Sequence, residues 1–173
     1  EYQLQSVIEG FFSYAGSSGW SYPSIVGCGE NATILHYTTN QDVCGSDEVI
    51  LIDAGAEFRG YASDITRSWP ISGTFSEAQR EIYQIVLDAQ LAAIDACRVG
   101  MPYTAPHDAA RRVLAEGLIS LGVISQSVDE ALDLESGDLK KWYMHNTSHW
   151  IGLDVHDAGV YKPGGKPRLL EPG

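Results

Sequence analysis

The chain has 173 residues, 44% hydrophobic and 20% charged, which suits one domain with a sizeable core and an ordinary soluble globular composition. Its net charge of −12 argues against nucleic acid or an anionic membrane as partner, and no apolar run approaches the roughly 20 residues of a membrane span. Three cysteines without CxxC spacing, Cys28, Cys44 and Cys97, fit free thiols in a reducing compartment, the cytoplasm with the mitochondrion as alternative.

The first helix is expected over residues 1–15, where Leu4, Val7, Ile8, Phe11 and Phe12 form one apolar stripe and Gly16 ends it. "ATILHYT" (32–38) reads as a short strand carrying His36. "EVILIDAGAEF" and "YASDITRSWPI" read as two more, flanking "FRG". Residues 76–97 form the strongest helix, opened by a Ser76/Gln79 capping box, with Ile82, Ile85, Val86 and Ala89 at helical spacing. A second helix spans about 106–121, with Val113, Leu114 and Leu118 inward and Gly122 as its stop. "SVDE" at 127–130 is another capping box and opens a short helix; the stretch after it reads as strand and loop. Strands bracket a helical middle, so the class is α+β.

Two segments concentrate chemistry. With a hairpin turn centred between Phe58 and Arg59, Asp53 falls directly opposite Asp64, with Cβ atoms about 5 Å apart. Two carboxylates so close among apolar neighbours share a proton or hold a cation. A shifted hairpin would leave both at a turn or rim. "MHNTSHWIGLDVHD" (144–157) holds three of the chain's five histidines. His145 and His149, four apart, share a face in either an extended or a helical backbone. His156 faces away in a regular strand unless Gly152 supplies a bulge that turns it back. His107, on a polar helix start, reads as structural. Two carboxylates with a nearby histidine suit a hard-to-borderline divalent ion such as Mn²⁺, Co²⁺ or Zn²⁺.

These residues resemble a known family. "HNTSHWIGLDVHD" resembles the proline-peptidase signature of the M24, or pita-bread, metallopeptidases. "IDAGAEFRGYASDITRSWP" resembles the family's segment with its first two metal-ligand aspartates, "VGCGENATILHYTTN" its strand with a substrate histidine, and "GTFSEAQREIYQIVLDAQ" the helix that follows. The resemblance covers nearly the whole chain and is nearest to the Xaa-Pro aminopeptidase branch. Prolidase, acting on dipeptides, is the next reading, and a non-catalytic pita-bread module that binds peptides the third.

The resemblance implies a pita-bread fold and cleavage of an N-terminal residue from a following proline. It assigns Asp53 to one metal, Asp64 as the carboxylate bridging both, and His149 to the second metal. His36, His145 and His156 become the histidines that position substrate and stabilise the tetrahedral intermediate. Two divalent ions, most often Mn²⁺, activate a bridging hydroxide, and the enzyme is expected to be a homo-oligomer. Tyr37, Trp150 and Tyr143 are candidates for an apolar shelf under the proline ring. Asn146 stands where the family usually has glycine. Glu1 at the start and Glu171-Pro172-Gly173 at the end suggest a piece of a longer protein: a partial catalytic domain, incomplete at its C-terminal end, without the family's N-terminal domain. Two further glutamate ligands are expected beyond the chain, so that by itself it holds metal weakly or not at all and does not hydrolyse peptides.

Overall fold

The apolar spacing at the start of the chain forms helix α1, Tyr2–Tyr14, and Gly16 at φ +88 ends it. The apolar stripe is not buried: Val7 and Phe11 are 69% and 64% exposed. The computed structural model describes residues 1–172, which divide into two units. The first takes residues 1–76 and 149–158; the second takes residues 77–148 and the chain from Gly159 onward.

Five strands lie in the first unit: β1 Gly19–Trp20, β2 Ile25–Cys28, β3 Val49–Ala54, β4 Ala56–Glu57 and β5 Ile65–Pro70. β2, β3 and β5 form an antiparallel sheet with β3 in the centre, while β1 pairs with β4. Every residue of β2 is buried, and Val26, Cys28 and Ile50 make the local core.

The β3–β5 register differs from the expected one. Phe58 and Tyr61 exchange both backbone hydrogen bonds around Arg59 (φ +53) and Gly60 (φ +83), so the turn centres between Arg59 and Gly60. Positive φ at both central residues is the two-residue hairpin turn whose twist matches its strands. Asp53 therefore pairs with Thr66, not Asp64. Moving the turn centre by one residue changes each partner by two positions. Strand side chains alternate with period two, so Asp53 and Asp64 still share a face, diagonally rather than directly. Gly55 permits the approach: a Cβ there would lie 1.7 Å from Ser63 O.

Two further expectations fail in this unit. Residues 32–38 do not form a strand. A 3-10 turn at Gly29–Thr33 is followed by irregular chain in which Ile34 and Leu35 are 52% and 58% exposed and His36 has φ +55. The hydrogen bonds of this stretch are local or go to Glu1 rather than to a sheet neighbour: Thr33 Oγ1 donates to Glu30 O, Ile34 N to Asn31 O, and the Tyr37 hydroxyl to the Glu1 carboxylate. Nor are all three cysteines free. Cys28 and Cys44 lie 5.4 Å apart at Cα and are joined as a disulfide, leaving Cys97 as the free thiol. The strand end at Cys28 and the loop before β3 converge in space, which spacing along the chain does not reveal. The thiol argument for a reducing compartment loses its support with this pair.

The second unit is built on α2, Glu77–Ala96, and α3, Ala105–Ser120. Small residues bring the helices close: Ala89 and Ala93 of α2 pack with Ala110, Leu114, Ala115 and Leu118 of α3. Ile124, Ala131 and Leu139 complete this core. The second capping box forms as expected and opens α4, Val128–Ala131: Glu130 N donates to Ser127 Oγ, and Ser127 N donates to Glu130 Oε2. Among the described residues no helix is long and apolar enough to cross a membrane.

Candidate metal centre

The central strand positions the first carboxylate. Asp53 sits on β3 between Ile25 of β2 and Thr66 of β5, so backbone ladders hold it from both sides. Asp64 lies one residue before β5. The Tyr22 hydroxyl ties the two together: it donates to Asp53 Oδ1 in a very short hydrogen bond and lies 3.0 Å from Asp64 Oδ1. Burial first, and then both carboxylates, push the Tyr22 phenol far above its ordinary pKa, so it remains a neutral donor. Burial, reinforced by the Asp64 charge, also raises the Asp53 carboxyl, against the lowering effect of the Tyr22 hydrogen bond.

His149 reaches the pair from the far end of the sequence, with Nε2 3.0 Å from Asp64 Oδ2. Its Nδ1 lies 2.9 Å from Trp150 O. A carbonyl only accepts, so Nδ1 carries the hydrogen, and a neutral ring then turns the Nε2 lone pair toward a carboxylate oxygen. Two acceptors face each other and need a cation: a proton on the ring, or a metal. Donation of the other ring N–H to a backbone carbonyl is the usual support of a metal-ligating histidine. Two carboxylates and one imidazole so prepared fit a divalent ion, and N and O atoms 3.0 Å apart can each reach one ion at about 2.1 Å. Among the described residues no three such side chains are yet gathered closely enough to enclose an ion.

The carboxylates open onto a cavity of about 200 Å³, lined also by Tyr22, Pro23, Ile25, His36, Thr38, Val155 and His156. His156 returns to His149 with ring centroids 4.3 Å apart, edge to face. The return is a tight loop rather than a bulged strand. Asp157 N donates to Trp150 O, and a Cβ at Gly152 would lie 2.1 Å from Asp157 Oδ2. No strand forms over residues 144–157, contrary to expectation.

Four of the expected residues, Asp53, Asp64, His36 and His156, thus line one cavity, and His149 adjoins it through Asp64. His145 is exposed and belongs to the second unit, with Nδ1 2.7 Å from Asn146 O. His107 is structural, as read from the sequence: its ring stacks on Tyr143, its Nδ1 meets Thr147, and burial lowers its pKa. The expected aromatic shelf differs. Tyr37 gives its hydroxyl to Glu1 and Tyr143 packs on the core of the second unit, while Pro23, Ile25 and Val155 supply the apolar lining. The sequence reading missed Tyr22; its place beside Pro23, just ahead of a buried strand, was the only cue.

The profile of metallopeptidase family M24 matches residues 1–173. The Xaa-Pro aminopeptidase of Escherichia coli K12 is 43% identical over 173 residues, which is 100% of this chain and 38% of that protein. Among solved structures, Pseudomonas aeruginosa aminopeptidase PepP matches with TM-score 0.92 and 42% identity, over 99% of this chain and 38% of that one. Zinc-substituted E. coli aminopeptidase P in complex with product matches with TM-score 0.91 and 42% identity, over 100% and 39%. The chain spans about two fifths of the length of these relatives.

Proposed function

As the chain belongs to metallopeptidase family M24 and shares its α+β pita-bread fold, we propose that it carries the metal-binding half-site of an Xaa-Pro aminopeptidase. The observation that carries this reading is the pair of facing acceptors, His149 Nε2 and Asp64 Oδ2, linked through Tyr22 to Asp53 beside a histidine-lined cavity. M24 enzymes use divalent metal; here Asp53, Asp64 and His149 would hold it, and we take it to be two Mn²⁺ ions. Bound there, the metal supplies Lewis acidity and an activated water for attack on the peptide carbonyl.

The chain's own residues do the rest. The Tyr22 hydroxyl, donating to Asp53 and within 3.0 Å of Asp64 Oδ1, fixes the spacing of the two carboxylates. His36 and His156 point donors at the substrate carbonyls and stabilise the charge that develops on oxygen. A bond to proline lacks the N–H that ordinary peptidases grip, so recognition must rest on carbonyl donors and an apolar wall. Pro23, Ile25 and Val155 form that wall. This chain contributes three donors, and we place hydrolysis in protein that joins them to the two glutamates the resemblance adds. We also infer that this enzyme acts as a homo-oligomer.

The test is hydrolysis, by Mn²⁺-loaded protein that includes the two further glutamates, of an Xaa-Pro-Xaa tripeptide, an Xaa-Pro dipeptide and an Xaa-Ala-Xaa control. Cleavage of the tripeptide that requires proline supports the reading. Cleavage of the dipeptide alone moves it to prolidase, and rapid cleavage of the alanine peptide rejects both.

A further inference from the structure

His36 and Thr38 line the cavity from a stretch of chain that has no strand to brace it, and His36 sits in a left-handed conformation unfavourable for a side-chain-bearing residue. Such a conformation persists only where its surroundings impose it. The surroundings here centre on Glu1. This residue is 6% exposed, and its carboxylate accepts four hydrogen bonds. Cys28 N and Asn31 Nδ2 donate to Oε1 at 2.9 and 3.0 Å, and the Tyr37 hydroxyl and Asp42 N donate to Oε2 at 2.8 and 2.9 Å. All four donors belong to the one stretch from Cys28 to Asp42, and Tyr37 adjoins His36.

We propose that Glu1 is a positioning residue whose carboxylate clamps residues 28–42 and so sets His36 in the cavity. This rests on the reading of His36 as a substrate-contacting residue. Burial alone would raise the Glu1 carboxyl, but the four donors outweigh it and hold the pKa below its ordinary value, so the clamp is ionised at neutral pH. The segment has other anchors at its base. Asn40 accepts from Val26 N and donates to Ser24 O, and Cys28 is bonded to Cys44. Removing the clamp therefore frees the part around His36 without releasing the whole segment.

Two variants test this. Glu1→Ala deletes the clamp. Glu1→Gln keeps its size but turns an amide donor on the Asp42 N–H, which is itself a donor. Hydrogen exchange of the chain should show faster amides at Cys28 and Asp42, by on the order of tenfold for each charge-assisted hydrogen bond lost, with Gln milder than Ala. The His36 ring resonances should shift, while β3 and β5 keep their protection. Unchanged His36 resonances with a lowered melting temperature would make Glu1 merely structural and overturn the proposal. In the peptidase assay, Glu1→Ala should lower kcat/KM by about tenfold, and the Glu1→Ala/His36→Ala double variant should lose no more than His36→Ala alone. Additive losses also overturn it. If wild-type protein that includes the two further glutamates cleaves no peptide, the functional reading fails while the exchange and resonance data still decide the clamp.

Discussion

Asp64 Oδ2 and His149 Nε2 stand 3.0 Å apart although 85 positions separate them in the chain. With Nδ1 of His149 committed to Trp150 O, the contact sets acceptor against acceptor and waits for a cation. Asp64→Asn puts a donor opposite Nε2 and turns the contact into an ordinary hydrogen bond. The melting temperature should stay the same or rise, while in protein that includes the two further glutamates affinity for Mn²⁺ measured by calorimetry should fall by about a hundredfold or more. Undiminished binding by that variant would remove Asp64 from the ligand set.

The raised Asp53 carboxyl has a signed consequence for metal-free protein. Its pKa is higher in the folded state than in the unfolded one, so folding binds a proton. Stability from this group is full at low pH and is lost as pH rises from the ordinary aspartate value near ~3.9 through the raised folded value. Asp53→Asn should flatten that decline and be more stable than wild type above it. Tyr22→Phe removes the hydrogen bond that opposes the shift and should steepen it. Melting curves across pH in chelator check both; identical slopes in all three proteins would contradict the assigned causes.

The Cys28–Cys44 bond closes a loop with a sequence separation of 16. Chain-entropy arguments give about 3 kcal/mol for a loop of this size. Oxidised protein should titrate one thiol per chain, Cys97, and reduction should expose two more and lower the melting temperature. Three reactive thiols in unreduced protein would show that the bond does not form in solution.

Gly117 lies on α3 against Ile85 of α2, and a Cβ there would fall 2.5 Å from Ile85 Cγ2. In a helix interior, replacing glycine by alanine ordinarily stabilises by up to ~1 kcal/mol. Here the stiff, branched Ile85 cannot yield cheaply, so Gly117→Ala should instead destabilise by about 1–3 kcal/mol in denaturant unfolding. A gain in stability would mean that the helices separate freely.

What could be read from the chain alone was whatever local periodicity controls. Helices α1, α2 and α3 follow 3.6-residue spacing with glycines just past their ends, and the Ser127/Glu130 capping box needs only four adjacent residues. The common face of Asp53 and Asp64 survived a misplaced turn because strand alternation has period two.

The rest depended on partners distant in sequence. Residues 32–38 have a strand's composition, yet the Tyr37 hydroxyl bonds to Glu1 and the neighbouring Asn40 is buried on Ser24 and Val26, and the stretch between is irregular chain. The Cys28–Cys44 pair and the hydroxyl of Tyr22 between two aspartates require separate segments to converge, and no spacing rule reports that. His145 and His149 looked like one face, but neither strand nor helix forms there, and Ser148 at φ +65 breaks any shared periodicity. Residue types along the chain determined which chemistry was available. Long-range backbone and side-chain hydrogen bonds, whose energies depend on three-dimensional proximity alone, decided which of those groups meet.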